Sequence, residues 1–509
     1  MEWKVIFYLR LLGINHLSDV VLYCVYPLIF TLIVARNILL ALSSQVLVVL
    51  CPYSISNWVF KQLFNLECPH RGVIPLITVH GLFDFATARF SNLFDQYLAM
   101  RNIRIGLFIS DVERAVQTFY EIKGGREYFG EQRAKKGKYS TWGETHVGVY
   151  PQWSSKYKIN GIGHSQGAST LAMLHKLMDN NKEYKLFMDP SGKLYDTSSD
   201  WFLSVGTTSG GHNGTAFANQ ICDITPDGKF VKPAINSWRY WAVDMFIKTW
   251  FRVYDVCKMT HIKPLINLMD PRMQHYGNST PGAGMLNWDD LSGTFAGGLM
   301  LNIAYERHHS FNYNPNVTYY HQMWACTIKD ISTGYMIPRM RTIGPLRPSS
   351  TYMGDITQLN RIAVHLKEVT PVDFNNDLFM QNDGLVTYGC QGVIGFQYDR
   401  YKDRILHVPS VDVAAYKMTH ASEMYRKISE MKLDKGDHFT APSVGVVIAW
   451  NISTLYKINL SMAACMYQIE QLAVQKGDID PVVYRDQQRI DKDYRSISNK
   501  IKMFIGGFT

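Results

Sequence analysis

The segment Tyr157–Met178, YKINGIGHSQGASTLAMLHKLM, decides the fold of this chain. Its first six residues have the apolar composition of a strand, and the leucines of Ala168–Met178 recur at helical spacing. Between them lies a G-x-S-x-G turn, Gly163 to Gly167. Glycines flank the serine because larger side chains would collide at such a sharp turn. The segment predicts a nucleophile elbow, in which the oxygen of Ser165 points out of a sheet.

Strand and helix patterns alternate upstream of this turn. Val73–Val79 is a short continuous apolar run, typical of a buried parallel strand, and it ends in a His-Gly-Leu turn. Helical periodicity follows over Phe90–Met100, and a second apolar run covers Ile103–Ile109. The alternation predicts the α/β class, with an α/β-hydrolase fold around a central, mostly parallel sheet.

A serine hydroxyl becomes a good nucleophile when a histidine takes its proton and an acid fixes that histidine. In a fold with this elbow, the acid and then the histidine follow the serine along the chain. Asp383, in an Asn-Asp-Gly sequence before a β-rich run, and His438, in a Gly-Asp-His loop, match that order. Both are also ordinary turn sequences, and His365, His407 and His420 compete as the base. Spacing alone leaves these assignments open.

Six short blocks, in order, resemble the secreted staphylococcal and thermophilic Bacillus-type triacylglycerol lipases. They lie between about Ile74 and His438, most of the globular part of the chain. The blocks are Val79–Leu82, Ile162–Gly167, Thr207–Thr215, Asp290–Ser292, Asn382–Val386 and Gly436–His438. Only the serine block is specific by itself, but six in the same order are difficult to obtain by chance.

The resemblance implies roles for particular residues. Ser165 would be the nucleophile, Asp383 the orienting acid and His438 the general base. The oxyanion hole would consist of the backbone N–H groups of Leu82 and Gln166. We expect His80 to shape the turn that presents Leu82.

The family also holds a structural zinc with two Asp and two His. The matching positions here are Glu113, Arg133, Lys138 and Asp290. Because Arg and Lys are cationic and make poor zinc ligands, we predict that the metal site is lost and that the four residues form an ion-pair cluster. The resemblance implies no other cofactor.

Seven aromatic residues lie within the 18 residues of Ser237–Tyr254. The resemblance implies a lid in this part of the chain, as an insertion over about residues 230–285. The predicted lid or acyl-pocket residues are Trp238, Trp241, Met245, Phe246 and Trp250. A buried core helix and a partner-facing surface are the alternatives.

The amino-terminal part of the chain resembles a membrane segment. Val20–Phe60 contains a single charged residue, Arg36, and Asn37–Phe60 has 24 uncharged residues, whereas a span needs about 20. One transmembrane anchor, a helical hairpin, or an apolar helix pair packed on the domain or a partner would each fit. The chain's charged fraction of 19% is low, against about 25% in ordinary soluble proteins. Its net charge of +9 is mild and suits anionic lipid.

We therefore predict five parts: an N-terminal segment (1–19), membrane-embedded helices (20–60), a connector (61–72), a lipase-like domain (73–450) and a helical extension (451–509). The predicted function is that of a membrane-associated serine esterase or lipase, which hydrolyses acylglycerols or phospholipids through an acyl-enzyme. The alternative is a catalytically silent, lipase-like subunit of a membrane complex, with protein partners at the terminal extensions. The expected location is a membrane, such as the mitochondrial inner membrane or the endoplasmic reticulum. The sequence contains no run of Lys and Arg interleaved with aromatic residues, so nothing in it indicates a nucleic-acid partner.

Overall fold

The computed structural model describes residues 73–82, 100–103, 105–106, 109–137, 140–179, 197–224, 231–260, 295–340, 342, 346–355, 376–408, 428–433, 436–438, 466, 469–482 and 484. The strands are β1 (Leu76–Val79), β2 (Met100–Ile103), β3 (Gly125–Tyr128), β4 (Trp142–His146), β5 (Ile159–His164), β6 (Phe202–Thr208), β7 (Cys222–Ile224), β8 (Val231–Pro233), β9 (Thr318–Trp324), β10 (Thr327–Lys329), β11 (Met336–Pro338), β12 (Ile405–Val408) and β13 (Ile428–Leu433). The helices are α1 (Asp111–Lys123), α2 (Glu131–Gly137), α3 (Gln166–Asp179), α4 (Trp238–Met259), α5 (Phe295–Gly298), α6 (Leu301–His308), α7 (Arg347–Met353), α8 (Asn376–Met380) and α9 (Tyr398–Tyr401). Single 3-10 turns occupy Ser199–Trp201, Ala218–Gln220, Tyr388–Cys390, Ile394–Phe396 and Lys402–Arg404.

Seven of these strands form one sheet, in the order β12-β13-β9-β6-β5-β1-β2. Every neighbouring pair in it is parallel. Parallel neighbours need crossover connections, and α3 makes the crossover from β5 to β6. The predicted α/β class with a mostly parallel central sheet is confirmed. The pairs β3–β4, β7–β8 and β10–β11 form small antiparallel ribbons outside the sheet.

The strand boundaries differ in part from those predicted. β1 occupies the end of the predicted run Val73–Val79, and β5 continues to His164, two residues beyond the predicted end. The predicted apolar run Ile103–Ile109 overlaps the sheet at Ile103, where β2 ends. Ile105 and Ile109, further along the run, are buried.

The main hydrophobic core joins the sheet to α1 and α3. Ile77 and Ile159 from the sheet meet Phe119 from α1 and Leu171 from α3, and each is at most 1% exposed. Burying a side chain of this kind contributes about 1.5–3 kcal/mol. The core therefore holds β5 and α3, the two elements on either side of the elbow turn, in a fixed relation.

Part of the C-terminal extension packs on the amino-terminal edge of the sheet. The carboxylate of Glu470 accepts hydrogen bonds from the backbone N–H groups of Val73, at 2.7 Å, and Ile74, at 3.1 Å. The hydroxyl of Tyr484 accepts from Lys158 N at 2.8 Å and donates to Lys156 O at 3.1 Å. This segment thus contacts the chain that leads into β1 and the chain that leads into β5. We call the two contacts made by Glu470 and Tyr484 the C-terminal clasp.

The predicted membrane segment Val20–Phe60 lies outside the described residues. Among the helices that the structure does describe, none is both long enough and apolar enough to cross a bilayer.

Candidate active site

The elbow turn places Ser165 in the left-handed region of backbone conformation, with φ +53°. A β-carbon added to Gly163 would lie 2.5 Å from the carbonyl oxygen of Gly167, and one added to Gly167 would collide with the carbonyl of Val79. Both flanking glycines are therefore required by close backbone approach. A non-glycine residue with positive φ stores strain and is common at functional sites.

Asp383 and His438 form a buried hydrogen-bonded pair. The Nδ1–H of His438 donates to Oδ2 of Asp383 at 2.9 Å, and the two side chains are at most 2% exposed. The other carboxylate oxygen, Oδ1, accepts from the backbone N–H groups of Leu385, at 3.0 Å, and Val386, at 2.7 Å. A further bond runs from His438 N to Asp383 O at 2.7 Å. With Asp383 fixed by backbone and Nδ1 bonded to it, His438 would act as a base through Nε2.

The loop after Asp383 differs from the prediction. The structure has a tight turn closed by an isolated bridge between Asn382 and Thr387, followed by the 3-10 turn Tyr388–Cys390. The expected β-rich run was therefore wrong. The apolar residues that suggested it fold back around the Asp383 carboxylate and give it their N–H groups.

His438 lies beside the elbow. Its ring centroid is 4.7 Å from that of His164, the residue immediately before Ser165. Burial, and next the positive charge that His438 can carry, hold the pKa of His164 well below its ordinary value of 6.5. His164 is therefore a neutral wall of the site. Ser165 follows β5 and His438 follows β13, so both lie at the carboxyl edge of the sheet, where parallel α/β folds bind ligands.

The loop that follows β1 passes directly over the serine. A β-carbon on Gly81 would lie 2.7 Å from the Cβ of Ser165. Leu82 comes next in the chain, and Gln166 is the first residue of α3. At the start of a helix the N–H groups lack intrahelical partners. The two predicted oxyanion donors therefore belong to backbone segments on either side of Ser165.

The ring of His80 contacts two backbone carbonyl oxygens. Its Nδ1 contacts Gly81 O at 2.9 Å and its Nε2 contacts Ile105 O at 3.1 Å, so the ring binds backbone on both sides. Among the competing bases, His407 contacts the hydroxyl of Tyr398 at 3.0 Å, with a side chain 40% exposed. His365 and His420 lie outside the described residues.

Helix α4 has one buried face and one exposed face. Tyr240 and Ile247 are buried in a cluster that also receives the side chain of Leu82. On the opposite face Trp238, Trp241 and Met245 are 57%, 48% and 66% exposed. The helix is therefore not a fully buried core helix. The side chains of Phe246 and Trp250 lie outside the described ones.

The predicted zinc substitutes can be placed only in part. Glu113 is buried on α1 and accepts a hydrogen bond from the hydroxyl of Ser110. Lys138, Asp290 and the side chain of Arg133 are outside the described residues, so the ion-pair cluster stays a prediction. The donor set does not fit zinc, because two of its four positions carry cations.

Arg114 was not predicted from the sequence, yet its guanidinium contacts the backbone of His80. It stands within an amphipathic helix where Asp, Glu and Arg alternate with apolar residues. Such a pattern is typical of solvent-exposed charge, and nothing in the sequence distinguishes this arginine from an exposed one.

A parallel sheet with an elbow serine and a histidine–aspartate pair at its carboxyl edge is the arrangement that the sequence predicted for an α/β-hydrolase fold. Comparisons with known proteins specify it further. A family model described as "Lipase-like, C-terminal domain" matches residues 88–236. Lipase 1 of Staphylococcus aureus is 36% identical over 117 residues, 22% of this chain and 17% of its own. A Staphylococcus epidermidis lipase is 33% identical over 163 residues, 28% of this chain and 24% of its own. The chain thus matches less than a quarter of the length of these relatives.

Two solved structures have a similar fold. Staphylococcus hyicus lipase has a TM-score of 0.55 at 18% identity, covering 80% of this chain and 98% of its own. EstA from Clostridium botulinum has a TM-score of 0.54 at 20% identity, covering 79% and 91%. The predicted resemblance to the staphylococcal-type lipases is confirmed.

Proposed function

We propose that this chain is a serine carboxylic-ester hydrolase that acts on lipid esters, acylglycerols or phospholipids, through an acyl-enzyme. The observation that carries the proposal is the buried His438–Asp383 pair beside a serine held at φ +53°. The names of the matched staphylococcal proteins support the ester class of substrate.

The chemistry follows from the positions of the groups. Ser165 Oγ attacks the ester carbonyl while Nε2 of His438 takes its proton, and Asp383 stabilises the resulting imidazolium. The oxyanion that forms is bound by the N–H groups of Leu82 and Gln166. The C–O bond to the alcohol then breaks, and His438 returns the proton to the departing alkoxide. Water, deprotonated by His438, attacks the acyl-enzyme in the same way and releases the fatty acid and free Ser165.

Fluorophosphonate labelling, with lipid or detergent present, tests this proposal. We expect the native protein to label and to hydrolyse acylglycerol or phospholipid esters, and Ser165→Ala to do neither. Ser169→Ala is the matched control, because Ser169 is also buried, four residues further along the chain, and this variant should leave both unchanged. A native protein that does not label, or that labels without any ester turnover, would contradict the proposal and favour a silent lipase-like subunit.

We also propose that the exposed face of α4 meets the lipid surface that holds the substrate. Trp238, Trp241 and Met245 lie at spacings of three and four residues, so they form one apolar stripe. The exposed Arg252 lies further along the helix, and cationic side chains beside an apolar stripe favour an anionic membrane surface. Since the opposite face packs with Leu82, lipid bound at the stripe would lie one helix diameter, about 10 Å, from the loop that carries Leu82.

The double variant Trp238→Ser/Trp241→Ser tests this contact. We expect it to hydrolyse a short soluble ester at the native rate and an ester embedded in phosphatidylcholine–phosphatidylserine vesicles about 10-fold more slowly. Val147→Ser/Ile331→Ser removes two other apolar side chains, 93% and 99% exposed, and should change neither rate. Equal losses on both esters would show that the stripe serves the site itself and not the lipid surface.

Finally, we propose that Val20–Phe60 attaches the chain to a membrane, of the mitochondrion or of the endoplasmic reticulum. The low charge of this segment supports the proposal. The full chain should stay with the membrane fraction in alkaline carbonate, whereas a chain that begins at residue 61 should be released. Release of the full chain would contradict the proposal.

A further inference from the structure

We propose that Arg114 is a positioning residue that holds both halves of the oxyanion hole in register. The inference rests on the proposed function, because it concerns the two backbone N–H groups assigned to the oxyanion. Arg114 touches neither the substrate nor the reacting atoms. It acts through the backbone segments that carry Leu82 and Gln166.

The guanidinium of Arg114 bridges the two segments directly. Its Nη2 donates to the carbonyl oxygen of His80, two residues before Leu82. Its Nε donates to the hydroxyl of Thr170 at 2.9 Å, and that hydroxyl donates to Gln166 O at 2.9 Å. One planar group therefore connects the loop after β1 to the first turn of α3.

A third bond fixes the orientation of this group. Nη1 donates to Gly106 O at 2.5 Å, and Gly106 N is itself bound by the side chain of Gln117 on α1, at 2.7 Å. The three bonds leave the guanidinium in different directions, which matches the rigid fork of arginine and not the single ammonium of lysine.

The burial of Arg114 supports a positioning role, because a buried cation has a free-energy cost. The side chain is fully buried, with 0% exposure, and removing a cation from water is expensive. The same interior could be filled by an apolar side chain at no such cost. The acidic side chain of Asp111 lies close enough to interact with the charge, but the hydrogen bonds described for the guanidinium go to His80, Gly106 and Thr170.

The peptide group between Gly81 and Leu82 provides the Leu82 N–H, and it is also held at its carbonyl oxygen. Its carbonyl oxygen, Gly81 O, contacts Nδ1 of His80 at 2.9 Å. In a trans peptide the C=O and N–H point in opposite directions, so holding the oxygen directs the N–H. Arg114 anchors His80, and His80 in turn orients the peptide.

The test compares Arg114→Lys with Arg347→Lys. Arg347 is almost equally buried, at 1% exposure, and donates to Arg339 O at 2.9 Å. Each rate is divided by the amount of protein whose serine reacts with a fluorophosphonate, so that misfolded protein does not affect the comparison. We expect Arg114→Lys to lower kcat and the rate of phosphonylation per active serine by about 10- to 100-fold, since displaced donors stabilise the oxyanion less. KM should stay within about twofold, and Arg347→Lys should keep the native rate per serine.

Thr170→Val provides a second variant if Arg114→Lys does not fold. It keeps the side-chain shape but removes the acceptor of Nε and the bond to Gln166 O, and it should slow phosphonylation about 10-fold. A native rate per titrated serine in both variants, or an equal loss in Arg347→Lys, would overturn the inference.

Hydrogen exchange separates failure of this inference from failure of the proposed function. In Arg114→Lys the amides of residues 80–82 and 166–170 should both exchange faster than in the native protein and in Arg347→Lys. If the native protein lacks ester hydrolysis but these amides respond, the proposed function fails and the positioning role of Arg114 stands. If they do not respond, the role of Arg114 fails whatever the activity.

Discussion

At the residue scale, the carboxylate of Asp383 has its two oxygens assigned to different partners. Oδ1 faces two backbone N–H groups and Oδ2 faces His438. This asymmetry determines what an amide would do in its place. In Asp383→Asn the carbonyl oxygen would face the backbone donors, and the NH₂ would face Nδ1 of His438.

We therefore expect Asp383→Asn to retain its fold and lose activity. A donor facing Nδ1 favours the tautomer with its proton on Nε2, which cannot accept the proton of Ser165. The expected loss in kcat is about 10³- to 10⁴-fold, measured at saturating substrate. Asp377→Asn, on the partly exposed α8, should keep native activity. Native activity in Asp383→Asn would exclude this carboxylate as the orienting acid.

Gly81 provides a second prediction at this scale. Its hypothetical β-carbon lies 2.7 Å from the Cβ of Ser165, closer than real β-carbons approach. We expect Gly81→Ala to push the loop that carries Leu82, the proposed oxyanion donor, away from the serine and to lower kcat at least about 10²-fold. Gly211→Ala is the control, because Gly211 is also next to Ser165 but its added carbon would lie 3.8 Å from Ser165 O, an ordinary contact, and 3.3 Å from the end of the Leu299 side chain. The two variants should differ in kcat measured on the same soluble ester, and equal rates would contradict the close approach.

At the element scale, α1 packs beside the β3–β4 ribbon, and His146 on β4 joins the two. Its Nδ1 donates to Glu121 on α1 and its Nε2 donates to Glu127 on β3, each at 2.7 Å. Both nitrogens carry protons in this arrangement, so the ring is an imidazolium. Burial by itself lowers the pKa of His146, but the hydrogen bonds to the two carboxylates outweigh it and raise the pKa to about 9.

This pKa predicts a loss of stability in alkali. Because the folded pKa is above the ordinary 6.5, the stabilisation is fully present below pH 6.5 and disappears as the pH rises through 9. We expect about 2 kcal/mol of unfolding free energy to be lost between pH 7 and 10, measured by urea unfolding. In His146→Gln this loss should be absent, while Thr145→Ala, on the exposed part of the same strand, should behave as the native protein. The same alkaline loss in His146→Gln would contradict the assignment.

The elements also show why prediction from sequence succeeds for some parts of the chain. The strand, turn and helix around Ser165 are recognisable because each depends on nearby residues, and glycine spacing at the turn reflects backbone collisions. The contact between Asp383 and His438 depends on how distant loops meet after folding, so their spacing in the sequence could not establish it. Arg114 and Glu470 were missed for a related reason: each is a charged residue in a helical pattern, and only tertiary packing buries it.

At the scale of the whole molecule, five of the histidines that the structure describes are buried and have pKa values below the ordinary value. They are His164, His175, His212, His308 and His321. Burial is the largest cause for each, and it lowers the pKa of His175 and of His212 to about 4. These side chains are neutral when folded at pH 7.

The folded state should therefore be sensitive to acid. A histidine with a depressed folded pKa stabilises the fold above pH 6.5, and this stabilisation is lost as the pH falls toward 4, where the unfolded chain binds the proton more readily. We expect His212 to account for about 3 kcal/mol of the loss in unfolding free energy between pH 7 and 4. His212→Asn should show a correspondingly smaller loss, while a variant at the exposed His309 should follow the native curve. Identical pH dependence in all three proteins would contradict the prediction.

The two edges of the sheet carry different kinds of contact. The carboxyl edge holds Ser165 and His438, and the amino edge is closed by the C-terminal clasp. The clasp joins Glu470 to Ile74 across 396 positions of the chain. A ribosome that adds about 5–20 residues per second needs roughly 20 to 80 seconds to make that stretch. During this interval the residues that lead into β1 have been made, but their carboxylate partner does not yet exist. We therefore expect the amino edge to close only after Glu470 has left the ribosome, and the backbone of Val73 and Ile74 to be open to chaperones until then.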